Sequence, residues 1–139
     1  MPKPVFVAIA LFGMVGLTSP VIAASANQFD LVCKGKEQKK TGVPASAWNE
    51  RFRLDLDTKR WCRGTCKTPA AIDTVTADEI RISDSRAAIG GPADVQLSFA
   101  RTSGKVSESI MMGWSGSGAS LAEGSCRREF FSGFPTQRF

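Results

Sequence analysis

The chain has 139 residues, 18 Lys and Arg against 13 Asp and Glu, a formal charge of +5, and neither histidine nor tyrosine. Without histidine, Ser-His-Asp and Cys-His catalysis and any histidine-ligated zinc site are ruled out. The enzymatic class left is carboxylate or lysine chemistry, since glycoside hydrolysis needs only two carboxyl groups.

Residues 1–26 read as a secretory signal peptide. Lys3 supplies a positive start, residues 5–17 an uncharged apolar run, Thr18, Ser19 and Pro20 a break, and small residues offer a cut after Ala26 or after Ala23. The run is shorter than the about 20 residues a membrane span takes. No Arg-Arg pair precedes it and no cysteine follows the cut directly. The expectation is a periplasmic or secreted protein with no membrane span after cleavage. Removing 26 of the 139 residues leaves 113, one domain over 27–139, with a charge of +4 once Lys3 is gone.

The four cysteines, Cys33, Cys62, Cys66 and Cys126, all lie in that domain. An even number behind a signal peptide reads as two disulfides. Of the three pairings, Cys62–Cys66 is favoured because a short loop keeps its thiols close, and Cys33–Cys126 because it ties the first strand to the last. Cys62-Arg-Gly-Thr-Cys66 has one residue too many for a thioredoxin-type motif and no helix to cap, so it reads as a structural clip.

In chain order, Phe29, Leu31 and Cys33 mark the face of a first strand. The basic stretch 34–40, with Lys34, Lys36, Lys39 and Lys40, reads as a polar connection. Trp48 leads into the clearest strand, where Phe52, Leu54 and Leu56 alternate with Arg51, Arg53, Asp55 and Asp57. Asp55 and Asp57 read as an exposed face with cross-strand charge pairing. Asp57-Thr-Lys59 is a turn, and Arg60-Trp61-Cys62 returns antiparallel. Residues 72–76 suggest a short strand and 79–83 a better one, with Ile80 and Ile82 inward. Residues 87–92 read as a loop. Val95, Leu97 and Phe99 alternate in the next strand. Thr102-Ser-Gly-Lys105 signals a hairpin in which Gly104 takes a positive φ. Residues 106–112 return, 114–118 turn, and 120–126 form the last strand. The tail 127–139, with Phe130, Phe131, Phe134 and Phe139, reads as packing over a barrel end or seam.

No helical stripe appears after the signal peptide. Short strands with turn signals every 8–12 residues or so predict an all-β domain, a small antiparallel β-barrel or sandwich with two disulfides. The link between first and last strands favours a closed or nearly closed barrel. The lysine cluster suits an anionic partner. No aromatic residues interleave with it, so nucleic acid is not expected. The rim around Trp61, Arg63 and Lys67 is the place a partner would contact.

Phe29-Asp-Leu-Val-Cys-Lys-Gly35, Phe52-Arg-Leu-Asp-Leu-Asp57 through Trp61-Cys62, Gly124-Ser-Cys126 and Phe131-Ser-Gly-Phe-Pro135 resemble a group of small secreted proteins of Gram-negative bacteria that carry no assigned activity. That resemblance implies class and compartment only. Ser117-Gly-Ala119 is similar to the loop that periplasmic inhibitors of C-type lysozymes insert into the enzyme cleft. The companion Trp-x-Lys-Gly segment of those inhibitors is missing here. The reading is therefore a non-enzymatic binding or envelope-associated module without a cofactor. Its partner would be an anionic envelope component or a protein. A lysozyme inhibitor is the second reading and a carboxylate- or lysine-dependent enzyme the third.

Overall fold

The computed structural model describes residues 25–39, 42–65, 68–88, 91–113 and 118–135. The stretch up to residue 24, read above as a signal peptide, the Ser117 position, Cys66, Lys67 and Phe139 lie outside those residues. The described chain is all β. Its strands are β1 (Gln28–Gln38), β2 (Ser46–Asp55), β3 (Arg60–Arg63), β4 (Ala70–Ala71), β5 (Thr74–Val75), β6 (Glu79–Ala88), β7 (Gly91–Ala100), β8 (Lys105–Met112) and β9 (Gly118–Phe130).

They form one antiparallel sheet in the order β4-β3-β2-β1-β9-β8-β7-β6-β5. The two edge strands are neighbours in sequence, separated only by Ile72 and Asp73. Ile72 donates its N–H to the Lys59 carbonyl at 2.9 Å on one edge, and Asp73 to the Arg81 carbonyl at 3.2 Å on the other. A six-residue segment thus carries the chain from edge to edge and curls the sheet toward a barrel.

β1 and β9 are neighbours, as the disulfide reading required, and Cys33 stands opposite Cys126 in their register. The two sulfurs are bonded, Cα to Cα 3.9 Å. The bridge lies at the middle of the sheet, while residues 70–75 link its two edges. Among the described residues this is the one disulfide; Cys62 is not a free thiol, and the Cys66 expected to partner it lies outside them.

Period-two alternation sets the core. Phe29, Cys33, Trp48, Phe52, Leu54, Trp61, Ile80, Ile82, Leu97, Phe99 and Val106 point inward and are buried. Phe52 sits at the centre, its ring 5.1 Å from Phe99 edge-on, 6.2 Å from Trp48 and 6.3 Å from Trp61. Each such fully buried side chain contributes about 1.5–3 kcal/mol.

The structure differs from the sequence reading at the strand ends. Residues 34–38 are strand, with Lys34 opposite Asn49 on one side and Ser125 on the other. The inward position there is Gly35, so no apolar residue announces the alternation. Gly35 faces Gly124. A Cβ on either would overlap the carbonyl oxygen of the other strand, Glu123 or Lys34. That close approach permits the curl. β6 reaches Ala88 and β7 begins at Gly91, which shortens the expected 87–92 loop. Residues 127–130 continue β9; only then does the tail leave the sheet.

The tail lies on the outer face of β1 and β2. Ser132 donates its N–H to Asp30 Oδ1 at 3.1 Å and its hydroxyl to Oδ2 at 2.7 Å. Arg51 donates to the same Oδ2 at 2.9 Å, and Arg53 to the Gly133 carbonyl at 3.2 Å. Phe131 and Phe134 pack edge to face at 5.2 Å. Asp30 is thus fully buried on what would otherwise be the solvent side.

Candidate functional site

At the end of the barrel where β7 turns into β8, the sheet leaves a cleft of about 250 Å³. Its floor is apolar: Phe29 and Leu31 from β1, Ile80 from β6 and Phe99 from β7, continuous with the core. Its rim is cationic: Arg101 in the hairpin, Lys105 at the start of β8 and Arg128 on β9. No lining residue is acidic.

Local structure explains each position. Gly104, at φ 68°, closes the hairpin with its N–H on the Ala100 carbonyl at 2.9 Å, and its carbonyl accepts the Cys126 N–H at 2.7 Å. That second bond pins the hairpin to β9; Lys105, opposite Ser125 in register, borders both this cleft and an outer groove that contains Glu123. Ser103 Oγ accepts the Lys105 N–H at 3.4 Å, so the nearby serine and lysine serve the turn. Arg101 donates to the Thr76 carbonyl at 2.6 Å. Arg128 stacks over the Phe29 ring at 4.2 Å and donates to the Ala26 carbonyl. Each guanidinium spends one contact on a neutral carbonyl and keeps further donors for a ligand. Among the described residues no carboxylate pairs with Arg101, Lys105 or Arg128. Alternation along β9 turns the neighbouring Glu129 to the other face, where Arg127 at 2.5 Å and Arg51 at 2.9 Å hold its carboxyl below the usual range.

Two of the rim residues expected from sequence, Trp61 and Arg63, lie elsewhere. Trp61 is buried in the core. Arg63 turns inward: its guanidinium stacks over Phe52 at 5.0 Å, pairs with the buried Glu108 carboxylate of β8, and lies 3.9 Å from Glu50. Lys67 is outside the described residues. The lysine cluster is part strand, with Lys34 and Lys36 on the outer face of β1 and Lys39 paired to Glu37 at 3.5 Å.

The carboxylates of the β2–β3 hairpin are structural. Asp55 is buried, contrary to the exposed face expected. Its Oδ1 accepts the N–H groups of Asp57 at 3.0 Å and Thr58 at 3.1 Å, an Asx turn, and its Oδ2 accepts the Gln28 amide at 2.9 Å. Desolvation pushes its pKa up, but the Gln28, Thr58 and Asp57 donors outweigh it and hold the group below the usual value. Asp57 accepts from the Ser25 hydroxyl and the Asn27 amide, both at 2.7 Å. The pairing on this face is instead Arg51 with Asp30 and Glu129.

Sequence reading did not find the cleft. Lys105 is visible in the sequence only as the last residue of a hairpin signal, Arg128 only as part of the tail, and nothing singles out Arg101. Their convergence needs the β1–β9–β8–β7 order. Among the described residues no group of His, Cys, Asp and Glu is placed to hold a metal ion. Comparison with family models, with curated proteins and with solved structures found no match.

Proposed function

We propose that this protein is a non-enzymatic binding module of an oxidising compartment, periplasmic or secreted, which receives an anionic partner at the cation-rimmed cleft. The observation that carries the reading is the cleft's charge pattern, with Arg101, Lys105 and Arg128 around an apolar floor and no acidic residue among the lining. Apolar walls with a few converging polar groups are what small-ligand sites share. The low-dielectric floor also strengthens the field of its rim charges. The Cys33–Cys126 bond supports an oxidising compartment, and no helix among the described residues is long and apolar enough to cross a membrane. The engagement of Asp30, Asp55 and Asp57 in fold-holding hydrogen bonds supports the non-enzymatic reading.

The test is salt-dependent elution from an immobilised anionic polymer. Arg101→Gln with Lys105→Gln removes two rim charges. Lys36→Gln with Lys39→Gln removes two charges from the far end of β1. The cleft variant should elute at clearly lower salt than the control. Equal elution would reduce the retention to net charge and refute the assignment.

A further inference from the structure

We infer that the anionic partner is an extended acidic peptide segment that adds a short strand to the free side of β9 beyond the β7–β8 hairpin; this rests on the binding reading above. Three features select it.

The first is an open strand edge. β9 stays paired with β1 as far as Phe29↔Phe130, whereas its pairing with β8 ends at Lys105↔Ser125. The Cys126 N–H still meets the Gly104 carbonyl, and there the hairpin turns away. Hydrogen-bonding groups of an antiparallel strand alternate between its two neighbours. Cys126 points its N–H toward the β8 side, so Arg128 and Phe130 present their N–H and carbonyl groups on that side too. Among the described residues no strand covers that side of 127–130. Such an edge is a template for another chain. Residues two apart on a strand repeat at about 7 Å, the spacing of any other extended main chain. The Arg128 and Phe130 carbonyls also call for donors, which a peptide carries and a polymer of sulfate or phosphate groups lacks.

The second is charge. Arg101 and Arg128 line the cleft that this edge borders, and no lining residue is acidic. Glu129, between Arg128 and Phe130, faces the outer side, where Arg127 and Arg51 hold it. Lys105 also borders the outer groove with Glu123 and is not required. Arg128 is already positioned, stacked over Phe29 at 4.2 Å and bonded to the Ala26 carbonyl. Acidic side chains on the added strand meet the two guanidiniums in charge-assisted hydrogen bonds.

The third is Phe130. Its ring is 94% exposed, and alternation along β9 puts it on the same face as Arg128. Aromatic rings beside arginines are what protein-binding hot spots are made of. An apolar residue on the added strand covers the ring.

Calorimetric titration of the oxidised protein with an octapeptide alternating glutamate and valine tests this. The same peptide methylated on its main-chain nitrogens should bind roughly tenfold more weakly or worse, for the loss of about two hydrogen bonds. A lysine–valine octapeptide should show no binding. Arg101→Gln with Arg128→Gln should weaken binding of the acidic peptide. Phe130→Pro removes an edge N–H that β1 does not use, and should weaken binding beyond Phe130→Ala, which removes the ring alone. Equal binding of the methylated peptide, or Phe130→Pro binding no worse than Phe130→Ala, would overturn the inference. If no peptide binds while elution from the anionic polymer still depends on Arg101 and Lys105, the peptide assignment fails and the anionic-partner reading stands. If elution is independent of them as well, both fail.

Discussion

Replacing Cys33 and Cys126 together by alanine should remove a large share of the folding free energy of this protein. The bridge joins residues 93 apart in sequence. In the folded state it adds little order, because β1 and β9 are already held by ten register pairs from Phe29↔Phe130 to Gln38↔Leu121. Its effect falls on the unfolded chain, where closing a loop of that length removes conformational entropy worth about 4.7 kcal/mol at 25 °C. Cys33 is completely buried, so truncation also leaves a small void that adds up to about 1 kcal/mol. A domain of this size has only about 5–15 kcal/mol in total. With an unfolding entropy of about 2.1 cal/mol/K per residue, the loss corresponds to a fall in Tm of about 20 °C. Urea unfolding followed by tryptophan fluorescence measures it, since Trp48 and Trp61 are both buried in the core. The midpoint should drop by the equivalent of about 4–6 kcal/mol. The wild type under reductant should be no more stable than the variant. A loss below about 1 kcal/mol at unchanged m-value would refute the unfolded-state argument.

Other outcomes follow from the interior and the tail. Arg63→Met should cost about 3–5 kcal/mol by leaving the Glu108 carboxylate buried and unpaired, whereas Arg63→Met with Glu108→Leu should return most of that loss; a double variant as unstable as the single one would refute the pairing. Truncation after Phe131 removes both Ser132 bonds to Asp30 and should lower stability by about 2 kcal/mol or more, seen as a lower Tm; an unchanged Tm would show the tail is not part of the folded body. Asp55 has a lowered folded pKa, so its contribution is fully present above the unfolded value of about 3.9 and is lost as pH falls through the folded value. Asp55→Asn should therefore lower stability near neutral pH and flatten its decline below about pH 4, as read from urea midpoints across pH. Phe52→Ala should cost about 3–5 kcal/mol, because the ring touches Trp48, Trp61 and Phe99 at once; near-neutral behaviour would displace it from the centre of the core.

What the amino-acid order determined by itself was local. Alternation of Phe52 and Leu54 with Arg51 and Arg53, and of Val95, Leu97 and Phe99 with polar partners, places inward and outward faces because a strand repeats every two residues. Gly104 marked its hairpin because a positive φ there needs no Cβ. Among three possible pairings the cysteine positions favoured Cys33–Cys126, which the structure shows. Strand length was less legible: β1 runs through Lys34 and Lys36 because Gly35, needed for close approach to Gly124, hides the pattern.

Only the tertiary structure decided what depends on which strands are neighbours. The β1–β9–β8–β7 order brings Arg101, Lys105 and Arg128 to one mouth from positions up to 27 residues apart, and no local pattern records that. Pairing across the barrel turns Arg63 in to Glu108, where the sequence alone suggested an outward rim. The returning tail buries Asp30 on an outer face that alternation marks as solvent. The fold's faces are written at a spacing of two residues; its charges acquire their roles from contacts over tens of residues, which only the folded chain makes.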